Sequence, residues 1–351
     1  MHKKFPNRWQ FFLRLLTVGV ISSLFLAACL FLWGVVPDGA NEPLKPESFQ
    51  VKVRPQSSIA SIASQLQNQG IAVNGMLFQL GARVLLVSRK LKPGTYRFPL
   101  NASTASILLQ MARGESVKES ITFVPGIPIW QLRHLVDSHP ALTHDTREMS
   151  SAQLVAQLGL QYPSLEGLFF PNTYTFDPDD SDLTIYRRAA EAMQKNLAKA
   201  WQGRSNSSTL KSPYELLILA SIVEKETGKA SERMQIASVF HNRLQIGMRL
   251  QTDPTVIYGI GPGFDGNLRK SDLRRDTPYN TYMRAGLPPT PIAIPSQESL
   301  LAAGNPAVSN ALYFVSKGDG SSHFSGSLSE HEKAVDRYQR RQQQSPTAKV
   351  K

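Results

Sequence analysis

A single cysteine, Cys29, in 351 residues excludes an intrachain disulfide and any zinc site built on cysteine. The seven histidines form no H-E-x-x-H pair, which removes the helical zinc-protease signature. No P-loop and no G-x-G-x-x-G is present, so nothing marks a nucleotide or dinucleotide site. An S-x-x-K does occur, at Ser208-Thr209-Leu210-Lys211, but it lies in a loop ahead of a helix cap and no K-T-G follows. Charged residues are only 19% of the chain and hydrophobic ones 41%, a globular balance that excludes wholesale disorder. There is no internal repeat. Neither a metal nor a cofactor is expected.

Acids are the scarcer charge: 27 Asp and Glu stand against 39 Lys and Arg, for a net +12. Much of the excess is terminal. Lys3, Lys4, Arg8 and Arg14 precede Leu15–Val36, a run of 22 residues without a charge. About 20 apolar residues span a bilayer, and the basic flank keeps its own end in the cytoplasm. The expectation is an uncleaved single-pass membrane helix, with everything beyond Pro37 outside the cytoplasm. Leu26-Ala27-Ala28-Cys29 also fits a lipoprotein cleavage site, but Leu30-Phe31-Leu32-Trp33 continue the apolar run past it. From Lys333 onward six basic residues meet one acid. With the body exported and no DNA-binding signature, nucleic acid is excluded as a partner; an anionic wall polymer or membrane surface fits the charge.

The pattern divides into residues 1–14 (cytoplasmic), 15–36 (membrane), 37–48 (a Pro-rich linker), 49–119, 120–340 and a basic tail, 341–351. Phe49, Val51 and Val53 alternate as in a strand. Ser57 or Ser58, Asn74, and Ser103 or Thr104 are placed to cap three helices, and Thr95–Phe98 and Ser120–Val124 read as strands. This β-α-α-β opening resembles a LysM-like module. Beyond it the periodicity turns helical, clearest over Asp182–Trp201. Ser212-Pro213-Tyr214-Glu215 is a capping box, opening a helix expected to run to Thr227 and stop at Gly228. Another helix is expected over Ser231–Gln245. Met248–Thr255, Tyr258–Gly266 and the four-proline stretch Leu287–Pro295 are expected as surface loops. The fold class is α+β, with one membrane helix, a small αβ module and a larger, mostly helical domain.

The capping-box helix carries the chemistry. Leu216–Val223 is apolar except for Ser221, so the helix is buried, and Glu224 follows one turn past Ala220 on the same face. Desolvation and the negative end of the helix dipole both favour a protonated carboxyl there, as a general acid needs. The structural alternative is a Glu at a frayed helix end, paired with Lys225, Lys229 or Arg233. Amides, hydroxyls and tyrosines suited to sugar hydroxyls gather at Asn242, Gln251, Thr252, Tyr258, Asn280 and Tyr282. Any of them could equally cap its own backbone.

Long blocks in this order resemble one family: Leu219–Thr227, Ser231-Glu232-Arg233, Ala237–Phe240, Asn242-Arg243-Leu244, Met248–Thr255, Tyr258-Gly259 and Tyr279–Tyr282. Upstream Leu165-Glu166-Gly167, Pro171 and Thr173-Tyr174 join them, and downstream Asn305-Pro306-Ala307 and Leu312–Val315. The chain is similar to the YceG-like endolytic murein transglycosylases, from about Phe49 to Arg337. The resemblance implies a membrane-anchored enzyme that cuts nascent peptidoglycan strands beside membrane-bound synthases, with Glu224 catalytic. One position departs: the family usually carries Asp where Asn172 stands. Glu166, Glu226 and Asp253 are the carboxylates open to a two-carboxylate muramidase. A non-catalytic wall-binding scaffold is the reading of a different class.

Overall fold

The computed structural model describes residues 16–24, 48–226 and 229–340. Residues 16–24 form an exposed helix, α1. The rest of Leu15–Val36, with Cys29, lies outside the described residues. So do Thr227, Gly228 and the whole tail, 341–351. Among the described residues no helix is long and apolar enough to cross a membrane. The remainder forms two compact units: residues through Glu119 with Phe176–Pro178, and Ser120–Thr175 with Asp179 onward.

In the first unit β1 (Ser48–Val53) pairs antiparallel with β2 (Gly94–Pro99), with Val51 opposite Tyr96. Between them lie α2 (Ile59–Asn68) and α3 (Gly75–Val84), followed by α4 (Thr104–Arg113). All three expected caps form: the side chains of Ser58, Asn74 and Ser103 each accept first-turn amides. Alternate strand residues Val51 and Val53 face a core of Leu66, Phe78, Tyr96, Phe98, Leu108 and Met111. Tyr96 and Phe98 stack at 5.7 Å. The Tyr96 hydroxyl is not stranded, because it donates to the Lys92 carbonyl.

The second unit is built on α8 (Pro213–Glu226), whose residues Leu216 to Val223 are all buried. Around it pack α7 (Asp182–Gln202), α9 (Arg233–Gln245), α10 (Asp253–Ile260) and α12 (Gln297–Gly304). A helix apolar on every side needs neighbours on every side, and it has them. The capping box is half as expected. Glu215 N donates to Ser212 Oγ, but the Glu215 carboxylate reaches one residue further back, to Lys211 N at 2.6 Å. Small two-stranded sheets frame the helices: β3 (Glu119–Thr122) with β5 (Thr173–Phe176), β4 (Leu142–Thr143) with β6 (Asp180–Ser181), and β7 (Tyr313–Ser316) with β8 (Ser322–Ser325).

Two loop expectations are corrected. Asp253–Ile260 is helical, started by Pro254 in its first turn and ended at Gly261, whose φ is 75°. The stretch from Thr290 to Ser296 is buried rather than on the surface. Prolines at 291 and 295 have no amide to satisfy, and two of the three amides between them find partners: Ile292 N on Ser221 Oγ and Ile294 N on the Ile127 carbonyl.

Candidate active site

Ser221, the one polar residue in the apolar stretch of α8, explains how the site is assembled. Its hydroxyl accepts the Ile292 amide at 3.0 Å and fastens the buried 290–296 segment to the helix. One turn later Glu224 meets the same segment: its Oε2 accepts the Ser296 amide at 2.9 Å and the Ser296 hydroxyl. Ser296 is also the N-cap of α12, accepting Ser299 N. The turn before α5 (Ile129–Asp137) closes the third side. Gly126 donates to the Ile294 carbonyl, and Lys225 Nζ donates to the Gly126 carbonyl. Gly126 adopts φ 82°, and a Cβ there would sit 3.9 Å from the Glu224 side chain.

Glu224 is therefore nearly enclosed, its side chain 10% exposed. Oε1 stands 3.9 Å from an Arg233 guanidinium nitrogen, so one of the three expected cationic partners is in place. The electrostatics are richer than an apolar wall and one helix end. The positive N-terminal end of α12 meets the carboxylate through Ser296, while Glu224 itself stands in the last turn of α8, at its negative end. Oε2 is occupied by Ser296, whereas Oε1 accepts no hydrogen bond from the described protein groups and is the oxygen open to a ligand.

Glu226, two residues on, faces the other way, as a helical step of about 200° requires. It accepts the Thr252 hydroxyl, and burial raises its carboxyl above the ordinary range, opposed by that hydrogen bond. Asp253 opens α10 and accepts the Tyr282 hydroxyl at 2.5 Å. Glu226, Thr252, Asp253 and Tyr282 thus form one connected polar group.

Glu166 is fully buried. Its oxygens accept the first amide of α5, Ile129 N, at 2.9 Å, and Gly167 N at 3.2 Å, with the Tyr258 hydroxyl as a third donor. Burial outweighs these donors and pushes its carboxyl up to about 7. A carboxylate so enclosed cannot flank a sugar ring. Its work is to tie α5 to α10.

Asn242 and Asn280 face inward. The Asn242 amide donates to the Ser309 and Ala311 carbonyls. Asn280, 1% exposed, donates to the carbonyls of Asp272, Leu273 and Arg275 and accepts Tyr282 N. Gln251 is exposed with φ 46°, and its amide bonds the Thr281 carbonyl. Asn172 caps its own turn through Thr173 N.

Tyr258 belongs to an aromatic wall: its ring lies 5.0 Å from Trp130 and 4.8 Å from Tyr279. Trp130, Tyr258, Phe264, His134 and Lys225 line a cleft of about 480 Å³ in this unit. Flat rings beside a cleft are the usual platform for a sugar face. Among the described residues one group could gather a cation, Asp137, His144 and Asp182, with ligating atoms within 4.8 Å. Asp182 already accepts the Thr146 amide and hydroxyl and locks the start of α7.

The YceG-like family model matches residues 51–337. The chain belongs to the YceG-like family. It is 30% identical over 324 residues to an endolytic murein transglycosylase of Bacillus subtilis (strain 168), across 85% of this chain and 87% of that protein. It is 28% identical to an endolytic murein transglycosylase of Streptococcus pneumoniae serotype 2, of whose length it spans 56%. A crystal structure of a yceG-like protein from Listeria monocytogenes matches with a TM-score of 0.53 at 31% identity, covering 82% of this chain and 98% of that one.

Within this YceG-like site, reading the sequence missed Ser296, Trp130 and Gly126. Ser296 followed by an apolar helix is a visible cap signal. That it caps against Glu224, 72 residues away, is visible only in three dimensions.

Proposed function

We infer that the chain is a peptidoglycan lytic transglycosylase, cutting the β-1,4 bond between N-acetylmuramic acid and N-acetylglucosamine within the strand. What carries the mechanism is one carboxylate, Glu224, with one oxygen held by Ser296 and the other free beside Arg233. Protonated on Oε1, it gives its proton to the glycosidic oxygen as the bond to muramic C1 breaks. The resulting carboxylate, balanced by Arg233, then takes the proton of the C6 hydroxyl, whose oxygen bonds to C1. A 1,6-anhydro ring closes, no water is consumed, and Glu224 regains its proton. Hydrolysing glycosidases need a second carboxylate across the bond. Glu166 is walled in and Glu226 turns to Thr252, which favours the single-carboxylate route.

The aromatic cleft holds the glycan and Lys225 stands at its edge. The first unit does no chemistry: Ser48–Gly114 contains no acidic residue, and of the acids beside that stretch Glu115 pairs with Arg113 and Asp177 with Lys118. Its β-α-α-β order supports a LysM-like reading, in which it orients the catalytic unit at the wall. The apolar run Leu15–Val36 anchors the chain in the inner membrane beside the synthases, so that the substrate is the nascent strand and cleavage ends its elongation. Intact-mass analysis of the membrane form tests the anchor; a mature chain starting at a lipidated Cys29 would contradict it. The catalytic assignment is tested by incubating glycan strands with Glu224→Gln. The folded variant should lose cleavage by at least about 10²-fold, the lower end for removing a general acid. Near-normal turnover would overturn it.

A further inference from the structure

The first unit carries an apolar face that nothing in the chain's described residues covers. On α3, Met76, Leu80 and Val84 recur every four residues and so line one side of the helix. They are 80%, 47% and 70% exposed, while Phe78 and Ala82 bury the opposite side. Leu86 extends the stripe beyond the helix end at 81% exposure. Its backbone is unusual. Leu86 N bonds the Arg83 carbonyl and Val87 N the Ala82 carbonyl, the paired closure in which the residue at Leu86 takes the left-handed conformation. Leu86 has φ 56°, where glycine is favoured and a large side chain is strained. The chain bears that strain to hold a leucine in solvent.

Charge frames the stripe on one side only. From Ser48 to Gly114 there are eight basic residues and no acid. Arg83, Arg89 and Lys90, within or just after the stripe, are exposed. Apolar side chains with exposed cations next to them in the chain match the boundary between acyl chains and anionic headgroups. A glycan platform needs exposed rings, but Phe78, Tyr96 and Phe98 are buried and Phe49 packs against the same core. Tether length agrees. Only 11 residues, 37–47, separate the apolar run ending at Val36 from Ser48, and at about 3.5 Å per residue they reach no further than about 40 Å.

We propose that Met76, Leu80, Val84 and Leu86, with Arg83, Arg89 and Lys90, are a docking surface for an anionic lipid bilayer. It holds the first unit on the membrane that the apolar run enters. The proposal rests on the membrane-anchored reading given above.

The test uses the full chain with Cys29→Ser and Met76→Cys, labelled with nitrobenzoxadiazole and reconstituted into vesicles. One set contains phosphatidylcholine alone, the other a third phosphatidylglycerol. Flotation reports the anchor separately from the label. In anionic vesicles the label should shift to the blue and be quenched severalfold by nitroxide lipids. Arg83→Glu/Arg89→Glu/Lys90→Glu should abolish the quenching, and Leu86→Gly, which relieves backbone strain, should reduce it while cleavage of soluble strands is unchanged. Protein that floats with an unquenched, water-exposed label overturns the docking surface and leaves the anchor standing. Protein that does not float refutes the anchor and the proposal resting on it. A label protected only when glycan strands are added overturns it in favour of a sugar-binding face.

Discussion

Ser296 gives both its backbone amide and its hydroxyl to a single oxygen of Glu224, Oε2. The contact joins the last turn of α8 to the first of α12. It holds the carboxyl by one oxygen and leaves Oε1 without a hydrogen bond among the described residues.

Ser296→Ala removes the hydroxyl half of this pair and the cap of α12 together. Stability should fall by about 1 kcal/mol, the usual cost of a lost N-cap. The activity loss should fall on kcat, about tenfold, with KM little changed, because a misaligned acid affects the transition state more than binding. Ser296→Thr, which keeps the hydroxyl, should recover most of it. Steady-state kinetics on defined strands at a temperature where both variants are folded separates the two effects.

Glu166 makes folding pH-dependent. Its carboxyl is raised from 4.5 to about 7 in the folded chain, so the native state binds a proton that the unfolded state releases between those values. The stabilisation is complete below about pH 4.5 and is lost as pH rises through about 7. The swing is at most about 3 kcal/mol, at 1.36 kcal/mol per pKa unit. Glu166→Gln should flatten that part of the profile. Denaturant unfolding at pH 5 and pH 8 in both proteins measures it; an unchanged slope in the variant would assign the dependence elsewhere.

Trp130→Ala should raise KM about tenfold while leaving kcat within a few-fold, since the ring offers a binding face and no proton. A ring-stacking contact of about 1–1.5 kcal/mol corresponds to that factor. An equal fall in kcat with unchanged KM would place Trp130 in the transition state instead.

Local structure was legible in the sequence because local residues decide it. Ser58, Asn74 and Ser103 announce their helices through capping. The apolar run Leu216–Val223 announces a buried helix, and Glu224 at its end announces a constrained carboxylate. What failed was any inference that polarity means surface. The proline-rich 290–296 segment is buried with Ser221, Ile127 and Glu224 accepting the amides of Ile292, Ile294 and Ser296, partners far off in the chain. Asn280 looked like a sugar ligand for the same reason, and is spent on three backbone carbonyls. The expected loops Met248–Thr255 and Tyr258–Gly266 both give way to the helix Asp253–Ile260, because Thr252-Asp253-Pro254 is helix-start as well as turn chemistry, and the apolar Val256 and Ile257 that follow decide between them.

In the proposed mechanism Glu224 acts alone, with the C6 hydroxyl rather than water as nucleophile. Cleavage of glycan strands in heavy-oxygen water, read by mass spectrometry of the muropeptides, tests this directly. The expected products carry 1,6-anhydro muramic ends with no heavy oxygen at C1. Reducing muramic ends labelled at C1 would contradict the account: water would be the nucleophile, and a second carboxylate, with Asp253 the exposed candidate, would share the work.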